Sequence, residues 1–286
     1  MKKFFLIVFV LFSTVSFAQR PLRFHLLAGF ANYNGDLQEK PITLQQARGT
    51  LGFGATVAIT DQISVRSDFT YGRVGADDKK NSKKELRARN LNFTTDIYDL
   101  ALLGEYNFTN INVSGLLPYA FAGIGFYHYN PYTFDLRGTK YLLSHYNTEG
   151  QGFVDGKKEY KKFDFNIPIG GGVKYALSEN VSLGFELGLR ILKTDYLDDV
   201  SDVYVDRDLL LTERGQTAVD LAFRGNEVKE NPTQYPVAGT VRGNSKVKDF
   251  YYFGLLRLDF KMNWFDKPIH RFSIKPRKML ECPTRW

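Results

Sequence analysis

Strict alternation of apolar and polar residues recurs along this chain and restricts its fold to sheets with two unlike faces. The clearest example runs from Val181 to Ile191, where every second residue is apolar and the residues between are Ser, Gly, Glu or Arg. Segments 163–175 and 63–71 repeat the pattern. We therefore predict an all-β chain.

Five further segments bring the number of predicted strands to eight, which span 23–34, 49–60, 63–71, 92–107, 117–129, 163–175, 181–191 and 249–262. The alternation in 92–107 shifts near Asp96, which predicts a β-bulge. Segment 119–129 is apolar on both faces. The glycine runs at 123–125 and 170–172 do not open an amphipathic helix, so they indicate close backbone contacts within strands rather than phosphate-binding loops.

The connections between these strands are alternately short and long. Residues 61–62 and 177–180 form short links, whereas 35–48, 74–91, 130–161 and 194–248 are long. Outer-membrane barrels have this asymmetry, with tight periplasmic turns and extended surface loops. We expect an eight-stranded antiparallel up-and-down transmembrane β-barrel with long extracellular loops and with both termini in the periplasm.

The polar faces of the strands carry charges that a membrane barrel would enclose. A soluble lipocalin-like barrel has the same alternation with its faces reversed, so the loop asymmetry and the charges must decide between the two. Tyr71, Tyr106, Tyr175 and Tyr252 lie near strand ends, where an aromatic girdle belongs. Because eight strands leave an interior filled by side chains, a diffusion pore is disfavoured. We predict a charge network in the lumen that comprises Arg66, Asp68, Glu186, Arg190, Arg257 and Asp259, with Asp99, Glu105 and Lys174 on the same faces.

Residues 1–18 have the features of a cleaved signal peptide. Lys2 and Lys3 precede the apolar run 4–12, and Ser16-Phe17-Ala18 fits a signal-peptidase site. Cleavage would leave 36 basic and 31 acidic residues. This small excess, in an exported chain, excludes nucleic acid as an expected partner. We expect the barrel with its surface loops in 19–265 and a basic periplasmic tail in 266–286.

No motif for catalysis, a metal or a cofactor stands out. The four histidines lack zinc-ligand spacing, and the best catalytic group that can be assembled is His128 with Ser144 or Asp164. We therefore expect a chain that is not an enzyme. The acidic segment 195–208 lacks the glycine and terminal glutamate of an EF-hand loop, which favours a solvated surface loop over a calcium site. The basic residues of 79–89 fit either a solvated loop or contact with anionic lipopolysaccharide.

The tail after the last predicted strand is basic and interrupted by prolines. Lys275, Arg277, Lys278 and Arg285 are candidates for contact with a periplasmic partner or with anionic headgroups; a mobile tail without a role is the alternative. Cys282 is the single cysteine. An unpaired cysteine in an oxidising compartment indicates an intermolecular disulfide or a free thiol.

Several segments resemble one known family. They are Tyr33–Leu37, Pro118–Gly125, Asn130–Phe134 and Thr194–Ser201, together with Cys282-Pro283 near the end of the chain. This combination resembles the PorG-like outer-membrane proteins of Bacteroidota type IX secretion systems.

The resemblance implies a role and partners. By resemblance, the chain is an integral membrane anchor that docks the periplasmic ring formed by the lipoprotein PorK and its partner PorN, and Cys282 forms a disulfide with a cysteine of the ring lipoprotein. The alternative function is that of a general OmpA-like or OmpX-like surface barrel, acting in adhesion or envelope integrity through its outer loops.

Overall fold

Eight long strands form the wall of a closed barrel. The computed structural model describes residues 22–38, 40–109, 115–228 and 232–261. The wall strands are β1 (Leu22–Asn34), β2 (Arg48–Ala58), β3 (Ile63–Asp77), β4 (Asn92–Asn107), β5 (Leu116–His128), β8 (Phe163–Ala176), β9 (Val181–Leu192) and β10 (Phe250–Lys261). The short strands β6 (Tyr132–Phe134) and β7 (Lys140–Leu142) form a hairpin outside the wall.

Each wall strand pairs antiparallel with its sequence neighbour in the wall, and β1 pairs with β10 to close the sheet. The predicted eight-stranded antiparallel barrel is therefore confirmed. If paired residues are followed from strand to strand around the barrel, starting at Leu22 of β1, the path arrives back on β1 at Asn32. Such a stagger requires strands tilted by roughly 40° to the barrel axis.

The two faces of the wall differ in chemistry. Outward side chains are mostly apolar and exposed, and they include Leu26, Phe53, Leu100, Ile124 and Phe165. Inward side chains on the same strands are buried and include most of the charges. Soluble barrels have the opposite distribution. At the long-loop end, the rings of Tyr71 and Tyr98 lie 5.2 Å apart on the outer face.

Hydroxyl side chains close the two short turns. Thr60 Oγ1 accepts hydrogen bonds from the amides of Gln62 and Ile63 at 3.2 and 2.8 Å. Ser178 Oγ does the same for Asn180 and Val181 at 3.3 and 3.1 Å. These hydroxyl groups give the backbone amides of the turns a side-chain acceptor. Leu22 and Lys261 lie at this same end of the barrel.

The four long loops cover the other end, and we call them L1 (35–47), L2 (78–91), L3 (129–162) and L4 (193–249). L2 contains helix α1 (Lys84–Arg89), and L4 contains α2 (Arg207–Arg214) and α3 (Gln216–Ala222). Leu37, Leu197 and Val200 from the loops share one buried cluster with Phe93 and Tyr251 of the wall. The loops therefore form a folded cap that continues the interior of the barrel. No helix within the four described ranges is long and apolar enough to cross a bilayer.

Two details differ from the predictions. β3 continues to Asp77 rather than ending near residue 71. The predicted bulge near Asp96 is wrong, because the pairing of β3 with β4 is continuous from Ile63 opposite Tyr106 to Asp77 opposite Asn92. The apparent shift in alternation arises because Ile97, Ala101 and Leu103 are apolar residues on the inward face.

The glycine run of β8 does have the close contacts predicted for it. A Cβ at Gly170 would lie 2.3 Å from the carbonyl oxygen of Leu187 and 2.5 Å from Cζ of Phe121. The lumen is therefore packed tightly enough at this height that only glycine fits.

Candidate functional site: the filled lumen and the loop cap

Arg257 is the centre of the lumen network. Its guanidinium donates to Asp259 at 2.6 and 2.9 Å, to Glu105 at 2.9 Å and to Thr56 at 2.9 Å. All of these side chains are buried. A buried charge is tolerated only when it is paired and hydrogen-bonded, and this geometry meets that condition.

Arg66 forms the second half of the same network. Its two terminal nitrogens donate to the two oxygens of Glu186 at 2.8 and 3.1 Å, and Nε lies 3.2 Å from Asp68. The guanidinium also lies 4.5 Å from the centre of the Phe121 ring. The bidentate geometry matches the planar fork of arginine to a carboxylate.

Three further side chains complete this network. Lys174 forms an ion pair with Glu105, and its ammonium lies 4.2 Å above the ring of Tyr119. The hydroxyl of Tyr119 donates to Glu186 at 2.6 Å. The ring of His25 lies 2.9 Å from a carboxylate oxygen of Asp68. Each acid in the network therefore has at least one close partner.

A separate cluster lies nearer the cap. Arg190 Nε is 3.6 Å from Asp99, and Asp99 also accepts hydrogen bonds from Asn166 at 2.7 Å and from Tyr251 at 2.5 Å. The guanidinium of Arg190 is 5.0 Å from the centre of the Phe253 ring.

The structure thus groups five of the six predicted lumen residues, namely Arg66, Asp68, Glu186, Arg257 and Asp259, and puts Arg190 in the second cluster. Sequence reasoning missed His25, Thr56 and Tyr119 as partners. Their signal was available, because each occupies an inward position of its strand. Such a set of paired charges fills the space inside the barrel and links the strands of the wall to one another.

Two arginines join all four loops of the cap. Arg89 of L2 donates to Asp78 at 2.8 Å, to the backbone oxygen of Asp36 in L1 at 3.0 Å and to that of Arg242 in L4 at 2.5 Å. Arg242 donates to Glu149 of L3 at 2.8 Å. The cap is consequently held by buried polar contacts as well as by its apolar cluster.

A group of buried acids lies between the cap and the lumen. Asp198 accepts a hydrogen bond from the hydroxyl of Tyr33 in β1 and another from the amide of Val200 at 2.9 Å. Asp249 accepts from the amide of Leu197 at 3.0 Å. Burial raises the pKa of Asp198 and of Asp249 well above the ordinary carboxyl value; the charge of Asp36 adds to the shift of Asp198, and the charge of Asp198 adds to the shift of Asp249.

Asp199 has a different set of partners. Its oxygens accept from Thr148 at 2.5 Å and Tyr160 at 2.7 Å. Burial raises its pKa to about 6, although Arg242 opposes the shift.

These positions overturn the prediction of a solvated loop at 195–208. Asp195, Asp198 and Asp199 are buried, and they accept hydrogen bonds from hydroxyl groups of L4, β1 and L3 respectively. Asp206 instead caps the first turn of α2 by accepting from two amides at 3.0 Å, and Asp208 is exposed. Within the described ranges, no three His, Cys, Asp or Glu side chains are grouped so that they could hold a metal ion.

The proposed catalytic group is not assembled. His128 lies on the outer face, with its ring 4.4 Å from that of Phe163. Asp164 is the next residue after Phe163 on β8 and therefore points to the opposite face. Ser144 in L3 donates to Asn130 at 2.8 Å.

The other predictions concern the basic residues of L2 and the residues outside the described ranges. In L2, Lys79, Lys80, Lys83, Lys84 and Arg87 are exposed, whereas Arg89 is buried. The signal peptide, His270, Cys282 and the basic tail residues lie outside the described residues, so these predictions stay untested.

The cap carries one broad groove. It has a volume of about 660 Å³ and lies between L1, L2 and L4. Arg89, Tyr204, Phe223 and Arg242 are among the residues that line it.

Comparison with known proteins gives one family match and a set of similar structures. The family model described as "Domain of unknown function (DUF6089)" matches residues 2–205. Comparison with the curated proteins gives no match.

The solved structures that are similar to the chain include Neisserial surface protein A, with 12% identity, a TM-score of 0.42 and coverage of 84% of this chain and 97% of that one. They also include Ail, the attachment invasion locus protein of Yersinia pestis, with 8% identity, a TM-score of 0.40 and coverage of 85% and 99%. A third is the outer membrane protein OprG of Pseudomonas aeruginosa, with 12% identity, a TM-score of 0.39 and coverage of 85% and 98%. The strand pairing of the chain itself shows the closed eight-stranded barrel.

Proposed function

The chain belongs to the DUF6089 family, described as a domain of unknown function, and we propose that it is a non-enzymatic integral barrel of the outer membrane that anchors a periplasmic assembly. One observation carries the anchor role. The outer wall is apolar while the lumen is filled by paired charges around Arg66 and Arg257. A wall of this kind is stable in lipid, and a filled lumen offers no path for solutes.

The assembly that we propose is the type IX secretion system, with the chain as a PorG-like component that docks the ring of PorK and PorN. The support is the resemblance of Tyr33–Leu37, Pro118–Gly125 and Thr194–Ser201 to that family, together with Cys282-Pro283. On this proposal both termini and the short turns at 59–62 and 177–180 face the periplasm. The tail, with Lys275, Arg277, Lys278, Arg285 and Cys282, then reaches the ring.

Deletion of residues 266–286 tests the docking role. A tagged chain without the tail should remain in the membrane fraction and should no longer co-purify the ring lipoprotein. A matched variant that keeps the tail length but replaces its four candidate basic residues with Gln separates charge from length. Cys282→Ser should abolish a heavier species on non-reducing gels. Full co-purification by the truncated chain would contradict a role for the tail.

A second function is favoured by the cap. Arg89 and Arg242 tie the described parts of all four loops together, and both arginines line the groove between L1, L2 and L4. A surface barrel that binds a host or matrix ligand would need such a fixed outer surface. Cells that carry the tail deletion should lose secretion under the first proposal, whereas cells with L4 shortened between 206 and 240 should lose adhesion under the second.

A further inference from the structure

L1 folds back over the outside of the barrel wall. Asn32 of β1 and Tyr252 of β10 are paired neighbours, and they point outward because Tyr33 and Tyr251 beside them point inward. On the bare outer wall both side chains would face lipid. Instead Asn32 is 0% exposed and Tyr252 is 5% exposed, because L1 covers them.

Thr43 is the residue that fixes L1 to this wall. Its carbonyl oxygen accepts hydrogen bonds from Asn32 Nδ2 at 2.6 Å and from the hydroxyl of Tyr252 at 2.5 Å. Its amide donates to the Tyr252 hydroxyl at 2.9 Å. Asn32 Nδ2 also reaches the carbonyl oxygen of Gln45 at 3.2 Å. The loop is therefore held in place by backbone groups, which leaves the neighbouring side chains free to face outward.

The side chains on either side of Thr43 are apolar and exposed. Ile42 is 73% exposed and Leu44 is 70% exposed. Asn32 is ten residues beyond Leu22 along β1, and at about 3.3 Å per residue and a tilt of roughly 40° it lies about 25 Å higher along the axis. The apolar band of a membrane barrel is about 25 Å tall. Ile42 and Leu44 are thus at the upper edge of the band, where acyl chains meet headgroups.

Three cations lie near these two residues in space or along the chain. Lys40, Arg48 and Lys80 are exposed. Lys40 and Lys80 line a depression of about 270 Å³ between L1 and L2, and the other described residues that line it are neutral and polar. Two exposed apolar side chains next to cations favour binding to an anionic lipid surface.

We propose that residues 40–48 form an interfacial strap, in which Ile42 and Leu44 enter the acyl region of the outer leaflet while Lys40, Arg48 and Lys80 contact lipid phosphate groups. This inference rests on the proposed function to the extent that the barrel must lie in a bilayer. The strap makes residues 40–48 a membrane contact, whereas Asp36 and Leu37 of the same loop belong to the cap.

Fluorescence quenching by lipid tests the position of the strap. In a Cys282→Ser background, single cysteines at Ile42→Cys, Leu26→Cys and Val237→Cys are labelled with an environment-sensitive dye, and the full chain is folded into vesicles. Val237 is the matched control, since it is an exposed apolar residue of L4 at 81% exposure. Nitroxide lipids with the spin label just below the headgroup should quench position 42, those with a deep label should quench position 26, and neither should quench position 237.

The outcomes separate the two proposals. Quenching at 26 without quenching at 42 overturns the strap and retains the membrane barrel, whereas no quenching at 26 overturns the membrane barrel itself. Tyr252→Phe removes the hydroxyl that holds Thr43, so it should reduce quenching at 42 and leave quenching at 26 unchanged.

Vesicle composition tests the phosphate contacts. Quenching at 42 should be stronger in phosphatidylcholine vesicles that contain phosphatidylglycerol than in pure phosphatidylcholine. Replacing Lys40, Arg48 and Lys80 with Gln should remove that difference. The equilibrium constant for contact of the strap with lipid should fall about fivefold for each cation removed. Equal quenching in both kinds of vesicle would overturn the role of the cations.

Discussion

Removing Arg257 should destabilise the barrel more than removing any exposed cation. The side chain is fully buried and donates to Asp259, Glu105 and Thr56. In Arg257→Ala, Asp259 loses both hydrogen bonds from the guanidinium and keeps the more distant partners His25 at 3.9 Å and Ser182 at 3.4 Å. Breaking a buried ion pair by removing one partner costs about 3–5 kcal/mol, because it leaves a buried charge without compensation.

Arg207→Ala is the matched control for that change. Arg207 pairs with Asp208 at 3.1 Å, but the two side chains are 49% and 85% exposed. An exposed pair of this kind contributes at most about 1 kcal/mol. Both variants are folded into phospholipid vesicles and unfolded in urea, and the folded fraction is read from the band shift on gels of unheated samples.

A third variant separates charge from shape. Arg257→Met combined with Asp259→Asn removes one cation and one acid and leaves Glu105 paired with Lys174, so it should recover much of the stability that Arg257→Ala loses. Equal free energies of unfolding for Arg257→Ala and Arg207→Ala would refute the view that the lumen charges hold the wall together.

The remaining predictions concern the cap and the lumen. Burial raises the pKa of Asp199 to about 6 from 3.8, so the folded cap binds a proton more tightly than the unfolded cap. The stability of the cap should therefore be greatest below about pH 4 and fall as the pH rises through 6. Hydrogen exchange of residues 195–205 measures this dependence, and Asp199→Asn should flatten it. Tyr33→Phe leaves Asp198 without its hydroxyl donor and should lower the stability of the cap by about 1–3 kcal/mol. Proteolysis of L4 should then be faster while the barrel is unchanged. Equal proteolysis rates in the variant and the native chain would argue against a role for this hydrogen bond. Gly170→Val should prevent folding into vesicles, since the valine side chain would overlap the Leu187 carbonyl. The native chain should fold and show no ion conductance in planar bilayers.

The fold could be predicted from the sequence because alternation is a local property. The two-residue period of a strand puts Val181 and Ser182 on opposite faces, and the loop asymmetry together with the charges indicates which face points outward. The same reasoning identified the inward charges of β3, β9 and β10. It failed near Asp96, where apolar inward residues such as Ile97 imitate a change of face.

The candidate site could be predicted only in part. The alternation within each strand shows that Arg66 and Glu186 both point inward. It does not show that the two side chains are in contact, since they are 120 residues apart in the sequence. That meeting depends on the stagger of the closed sheet. His25 was missed as a partner of Asp68 for the same reason.

The loops show the limit of sequence reasoning most clearly. Asp198 and Asp199 belong to an acidic segment of the kind that is usually solvated, yet both are buried beneath the cap. Ile42 and Leu44 have no periodic pattern, and their position over the wall depends on Asn32 and Tyr252, which are contributed by two different strands.

The sequence by itself therefore determined the barrel, its number of strands, the orientation of their faces and the division into short and long connections, since all of these follow from local period and spacing. Only the tertiary structure decided which charges pair, which acids are buried and where L1 lies. Those contacts join residues that are distant along the chain, and their energies depend on the closure and stagger of the whole sheet.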